Sequence, residues 1–471
     1  MHRLLSFLKL ALLGIPMLFG LAGFLKAGES FLNALFSSIC MYAMNYQDPP
    51  PNLWVEAGRW TAPLATASGI FMVATTLRER FRAYLCYRRG DSVAVYGPEP
   101  EKTELLARLR SCGIDGRTRF VRARRYILLG EDGFDFYFQN LRKLEEREVY
   151  LQCGSLPAQS VSTPGLHLFC PEETAARLFW KQAKLYEWSA AREHRLNILF
   201  MGFGRLGEEL LSYGLQNNIF APDQQISYHI FGADDSFSAT HTRLKEIGDP
   251  VLFYNIPWYT RLSLLEDADL ILVLEQENQM TLLQRLLLAT NRPRFHVFAA
   301  EHAGISLLAG QERLHIFSWR QEARSPEHIL SDTLYRRAKE INLRYAHLYD
   351  NVPENEENRE KQWALLDSFT RYSNISAADY HEIRLAMLEA MGASVSGEAL
   401  SPGLLERLAE LEHIRWCRYH YLNNWRQGIP ENGKRKDTGL RIHRDLVPYQ
   451  ELSDEEKEKD RENIRILLSI G

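Results

Sequence analysis

The 471-residue chain is poor in cysteine, and the six it has (Cys40, Cys86, Cys112, Cys153, Cys170, Cys417) stand far apart, none at CxxC spacing. That excludes a sequence-encoded zinc module and a disulfide framework, and implies a reducing environment for the bulk of the chain. Its 14 histidines are dispersed and form no HExxH or comparable set, so no metal is expected. An excess of basic charge is also missing. The formal net charge of −4 gives no overall attraction to nucleic acid. What remains is ordinary globular composition, long enough for about three domains.

The N-terminus departs from that average. Leu4 to Leu25 is almost wholly apolar, Phe31 to Tyr46 is a shorter uncharged run, and Trp60 to Leu77 is uncharged between Arg59 and Arg78. A membrane-crossing helix needs about 20 residues, with a lower bound of about 17, so the first and third runs are long enough and the middle one is not. A cleaved signal peptide is the alternative for the first run, and a buried core helix the alternative for the third. Arg78, Arg80, Arg82, Arg88 and Arg89 follow the third run, a cytoplasmic signature by the positive-inside rule. These features predict a transmembrane hairpin over residues 1–85, in an inner (cell) membrane, with both termini cytoplasmic.

Two α/β patterns follow. Over residues 90–190, "DSVAVYG" reads as a strand ending at Gly97, then a helix over Glu99–Arg110, with later strands in "RRYILL", "EVYLQ" and "LHLFC". Its first turn, "GPEPEK", carries two glutamates that would repel a phosphate. Over residues 191–350, "LNILFMGFGRLGEELL" places an apolar strand directly before GxGxxG and a helix. Gly202 permits the tight turn, Gly204 the close approach of a pyrophosphate, and Gly207 helix–strand packing. Arg205 lies within the motif. Asp234 and Asp235, after the next strand, could hold ribose hydroxyls, later than the usual spacing of about 20 residues. NAD or another nucleotide is the expected cofactor of this turn, and an empty scaffold is the alternative.

"RWTAPLATASGIFMVATTLRERF" leading to "DSVAVYG", followed by "MGFGRLGEE", resembles potassium-channel and transporter regulators with TrkA-N (regulator of conductance) domains, over about residues 1–325. The resemblance implies a two-span channel-like protein with two Rossmann-like doubly wound units, assembled as a symmetric homo-oligomer, for which a tetramer is one candidate form. The sequence departs from it after Tyr46, where "QDPPPNLW" replaces a TVGYG-like filter. Stacked-carbonyl potassium selectivity is therefore not expected.

Residues 351–471 read as helical. Asn351 to Lys361 is a polar linker, Leu404, Leu408, Leu411 and Ile414 form one apolar stripe, and Ser453 with Glu456 suits a capping box. "WRQGIPENGKRKDTGLRIHRDLVPYQELSDEEKEKDR" resembles the RyR domain, the repeat named for ryanodine receptors, through Trp425, Gly428, Arg441, His443, Asp445 to Tyr449, and Leu452, Glu456, Lys457 and Asp460. The resemblance implies a sensor of nucleotide-derived signals. Aromatic faces beside basic donors suit a base and a phosphate, which selects Trp425, Lys436, Arg441, His443 and Tyr449 as ligand-binding candidates. Core packing for the tryptophans and a solvated basic loop are the alternative.

The expectation is α/β plus membrane helices with a C-terminal all-α module: a non-enzymatic, ligand-gated, channel-like membrane effector, by analogy one of stress or phage defence. The rivals are a membrane-tethered NAD-dependent oxidoreductase, for which no catalytic acid or base is assignable, and a non-conducting membrane scaffold.

Overall fold

The computed structural model describes residues 2–470 apart from 47–51, 117–119, 155, 162, 275–276, 292, 299–302, 307–311, 332, 393–399 and 432, and omits the side chains of 2–13, 72, 76, 303, 306 and 470. The filter-position segment Gln47–Pro51 and part of the Leu4–Leu25 run thus lie outside what is described. The chain forms two compact units, Met1–Ser92 and Val93–Gly471.

The first unit is helical: His2–Lys26, Phe31–Cys40 with a tight turn over Met41–Ala43, and Leu53–Arg89. The long helices run antiparallel and nearly touch. A Cβ on Gly23 would stand 2.5 Å from a methyl of Val55, and one on Gly58 would stand 3.1 Å from the Gly20 nitrogen. Asn52 fixes the entry to the third helix, accepting from Val55 N (3.0 Å) and donating to Gly23 O (3.0 Å). Among the described residues, Leu53–Arg89 is the one helix long and apolar enough to cross a membrane. At 37 residues it is about 55 Å long, well beyond a hydrocarbon core of about 30 Å. The arginine-rich part therefore continues the same helix past Leu77 until Gly90, at φ 86°, ends it.

The second unit holds two parallel sheets. One contains β1 (Val93–Tyr96), β2 (Gly113–Asp115), β3 (Arg125–Leu128), β4 (Glu148–Gln152) and β5 (Leu166–Phe169) in the order β2-β1-β3-β4-β5. The other contains β6 (Arg195–Met201), β7 (Gln225–Phe231), β8 (Val251–Tyr254), β9 (Leu270–Val273), β10 (Arg294–Phe298) and β11 (Leu314–Phe317) in the order β11-β10-β9-β6-β7-β8. Continuous apolar runs such as those of β1 and β9 are buried throughout, as parallel strands covered on both faces require. β2 and β8 are absent from the expected strands: β2 is only three residues long, and β8 is a four-residue apolar run that sits half-exposed at the sheet edge.

The C-terminal helices are Thr333–Asp350, Glu356–Leu365, Ser368–Ala390, Pro402–Leu422 and Asp454–Ile470. Three expectations are corrected here. The polar stretch 351–361 is not simply a linker: Asn355 accepts from Asn358 N (2.9 Å) and starts a helix whose first turn is acidic. The module is not all-α, because the basic loop folds into three two-residue strands, β12 (Arg426–Gln427), β13 (Lys436–Asp437) and β14 (Ile442–His443). The capping box is half-formed. Ser453 Oγ accepts from Glu456 N (3.4 Å), but the Glu456 carboxylate pairs with Arg435 and Lys459.

Candidate functional site

Three cavities receive some of the candidate residues. The first, about 290 Å³, lies at the carboxyl ends of β6 and β7, where Met201, Gly202, Gly232, Trp258, Asn278 and Arg285 line it. β6 sits between β7 and β9, so chain progression reverses there, the place where open α/β sheets leave a crevice. Gly202 (φ 93°) and Gly204 (φ 57°) hold left-handed backbone that side chains disfavour. Gly207 is confined: a Cβ there would stand 2.7 Å from the Phe203 ring. The three glycines thus make the turn the motif predicts. The charged candidates do not join them. Asp234 accepts from both Ser236 N (3.0 Å) and Ser236 Oγ, closing a local turn, and Asp235 accepts from Asn255 Nδ2 (3.3 Å). Arg205 turns away to Glu208 (3.4 Å) and Glu209 (2.5 Å).

The second cavity, about 540 Å³, lies at the seam between the Gly204–Asn217 helix and the C-terminal helices. Trp425 and Arg441 line it, and so do Arg205 and three glutamates, Glu173, Glu208 and Glu209. Trp425 is almost fully buried against Cys417 and Leu446, with Phe369 stacked at 5.2 Å, so it is a core residue whose edge reaches a cavity. Arg441 is exposed at φ 51° and donates to Asn423 O (3.0 Å).

The third cavity, about 410 Å³, lies within the C-terminal module between Trp416, His413, His443, Arg435 and Tyr345. His443 packs edge-on against Trp416 at 4.9 Å. Burial, aided by Lys436, Arg435 and Arg444 and opposed by Asp445, pushes its imidazole down to about 4, so it is neutral near pH 7. His413 behaves oppositely. Both ring nitrogens face acceptors, Nε2 to Val447 O (2.8 Å) and Nδ1 to Asp460 Oδ2 (3.3 Å), an arrangement that suits an imidazolium. Burial works against that charge, but the Asp460 and Cys417 interactions outweigh it and raise the group to about 10.

The five ligand-binding candidates therefore do not converge. Trp425 and Arg441 face the seam, and His443 faces the inner cavity. Lys436 is exposed on β13 and lines neither. Tyr449 is buried in the packing of the module with its hydroxyl on Glu406 (3.1 Å). Sequence reasoning missed Glu173, Glu209 and His413, since nothing local marks them.

The seam is tightly built. Arg418, on the Pro402–Leu422 helix, pairs with Asp249 before β8 (2.6 Å), and both are buried. Asn424 Oδ1 accepts from Thr242 N (2.8 Å), and Tyr380 donates to Ile219 O (2.7 Å).

A family model for the RyR domain matches residues 398–470. The C-terminal segment is thus an RyR domain, and it supplies Trp425, Arg441 and His443. No curated protein and no solved structure matches the chain.

Proposed function

We propose that the chain is a membrane-embedded, ligand-gated, channel-like effector that senses a nucleotide-derived small molecule through its glycine-turn unit and its RyR domain, and works as a homo-oligomer. The observation that carries this reading is the shared seam. Gly202 lines the glycine-turn cavity, and the Gly204–Asn217 helix that follows it two residues on walls the RyR-side cavity, so ligands at the two places meet one continuous strand–turn–helix element. Coupling requires only that the ligand favour one arrangement of that seam over another. The strand order supports a Rossmann-like second unit, since β6 to β11 repeat the 3-2-1-4-5-6 order of dinucleotide sheets. In the first sheet Lys102 pairs with Glu99 (2.9 Å) and Asp115 (3.1 Å), which fills the equivalent turn with side chains. Membrane insertion is supported by the outward apolar side chains of Leu53–Arg89, among them Trp60, Leu64, Ile70 and Phe71.

Ion flux through proteoliposomes, with and without the small molecules that co-purify, tests the proposal. Flux that never depends on added ligand rejects gating, and no flux at all favours a scaffold. Steady NADH turnover by purified protein would favour the oxidoreductase. Reporter fusions after Pro50 and after Arg89 are expected on opposite sides of the membrane, and two cytoplasmic signals would exclude the hairpin. Gly204→Glu is expected to abolish nucleotide binding, because it puts a carboxylate at the turn and forces a side chain into left-handed backbone. Equilibrium dialysis with NAD or ATP reads the loss, and retained binding would remove the turn from the site.

A further inference from the structure

One buried carboxylate at the seam is only half used. Glu173 is 2% exposed. Its Oε2 accepts from Ala158 N (3.2 Å) and Tyr372 OH (2.9 Å), while its Oε1 has no partner among the described residues. The cavity it lines also carries Glu208 and Glu209, and two cations, Arg205 and Arg441, each already engaged within the protein. With Glu209 ionised, three carboxylates face two guanidiniums, an acidic excess that is complete only above about pH 8. Much of the remaining wall is aromatic, including Tyr372, Tyr419 and Trp425. A phosphate placed here would meet carboxylates. A cation would find ring faces, with the half-partnered Glu173 carboxylate buried behind them, the chemistry that holds ammonium groups.

We infer that the seam cavity binds an amine-bearing organic cation, with Glu173 and Glu209 as its anionic anchors and the Tyr372, Tyr419 and Trp425 wall as its aromatic enclosure. The inference deepens the reading of the seam as the receptor, and separates two ligands on one helix: an anion at the N-terminal glycine turn and a cation along the side.

Proton linkage supports it. Burial first, then Glu173, Glu208 and Glu172, push the Glu209 carboxyl up to about 8 against the opposing pull of Arg205. Its uncharged titratable neighbours stay neutral near pH 7, beside the charges of Arg205 and the other glutamates. The Cys170 thiol and the Tyr213, Tyr372 and Tyr419 phenols are raised by burial, and His241 is lowered by burial. Glu209 is therefore mostly protonated at pH 7, and a bound cation favours its ionised form. Binding then releases a proton below about pH 8. Affinity should rise with pH, by up to about tenfold per unit, and level off above it.

The test is calorimetric titration of the detergent-solubilised full chain with spermidine, in two buffers of different ionisation enthalpy, between pH 6.5 and 9. Binding is read without flux, so failure here is distinguishable from failure of gating. The expected result is saturable binding that tightens toward pH 8 with buffer-dependent heat. Glu209→Gln should flatten the pH profile and weaken binding on the order of tenfold or more, as loss of a charged hydrogen bond implies. Thr438→Trp, at an exposed position on the cavity mouth, should block binding while leaving the thermal transition in place. No spermidine binding at pH 8.5 would overturn the inference. So would binding that is flat with pH and indifferent to both variants, or adenosine occupying the cavity in its place.

Discussion

Replacing Glu412 by alanine should cost the Val93–Gly471 unit about 3–5 kcal/mol, the scale for a buried ion pair broken from one side. Glu412 is 1% exposed and accepts from Arg384 Nη2 (2.5 Å), from Arg415 Nε (3.0 Å) and Nη2 (2.7 Å), and from Asn463 Nδ2 (3.0 Å). Arg384 and Arg415 are themselves buried, on different helices. Without the carboxylate two guanidiniums remain in a dry interior with no counter-charge between them. The measurement is urea unfolding of the full chain. Glu412→Gln keeps one acceptor and should lose less, and Glu455→Ala, exposed on the last helix, should stay within about 0.5 kcal/mol. Equal effects of Glu412→Ala and Glu455→Ala would show that the triad contributes nothing. A pH arm carries the sign. Burial raises the Glu412 carboxyl, but Arg415 and Arg384 outweigh it and hold the group below its ordinary 4.5. Its contribution is therefore present above about pH 4.5 and is lost as the pH falls through the lower, folded value.

This triad shows where a sequence can be read and where it cannot. Strands such as β1 and the inner part of β6 are visible because a parallel strand buried on both faces is a continuous apolar run. The glycine turn is visible because backbone constraints are local: a strand, three glycines and a helix start fall within a few residues. Glu412 is invisible for the opposite reason. In the sequence it is one of several charged residues on a helix, and its partners Arg384, 28 positions away, and Asn463, 51 positions away, make it structural.

The candidate site divides along the same line. Trp425 stands out by residue type, and the structure places it at a cavity edge. Glu173 and Tyr372, whose hydrogen bond spans 199 positions, meet only when the sheet unit and the C-terminal helices pack. Arg205 and Asp234 hold motif positions, yet each has a nearer partner: Glu209 one helical turn on, and Ser236 two residues on. Local pairing satisfies such groups before any ligand does, and a motif pattern does not encode it. The basic loop follows the same rule: Lys436 and Arg435 are equivalent in sequence and differ in the fold. Arg435 is held by Asp445 (2.5 Å) and Glu456, while Lys436 stays at the surface.

Asp249 and Arg418 should show strong, non-additive coupling across the seam. Asp249 accepts from Arg418 Nη1 (2.6 Å) and Gln224 Nε2 (2.9 Å) through Oδ2, and from Ile226 N (2.9 Å) through Oδ1. It therefore caps the start of β7 while holding a helix of the RyR domain. Asp249→Ala leaves a buried guanidinium, a backbone N–H and an amide without their acceptor, and should cost about 3–5 kcal/mol. Arg418→Met leaves a buried carboxylate with two neutral donors and should cost somewhat less. The double variant strands no charge, so its loss should fall short of the sum by on the order of 2 kcal/mol. Additive losses in urea unfolding would mean the pair is not coupled. If the seam transmits the ligand signal, Arg418→Met should also separate ligand binding from flux. Nucleotide should still bind at the glycine turn, while ligand-dependent flux in proteoliposomes falls. Loss of both together would point to unfolding, and loss of neither would place transmission elsewhere.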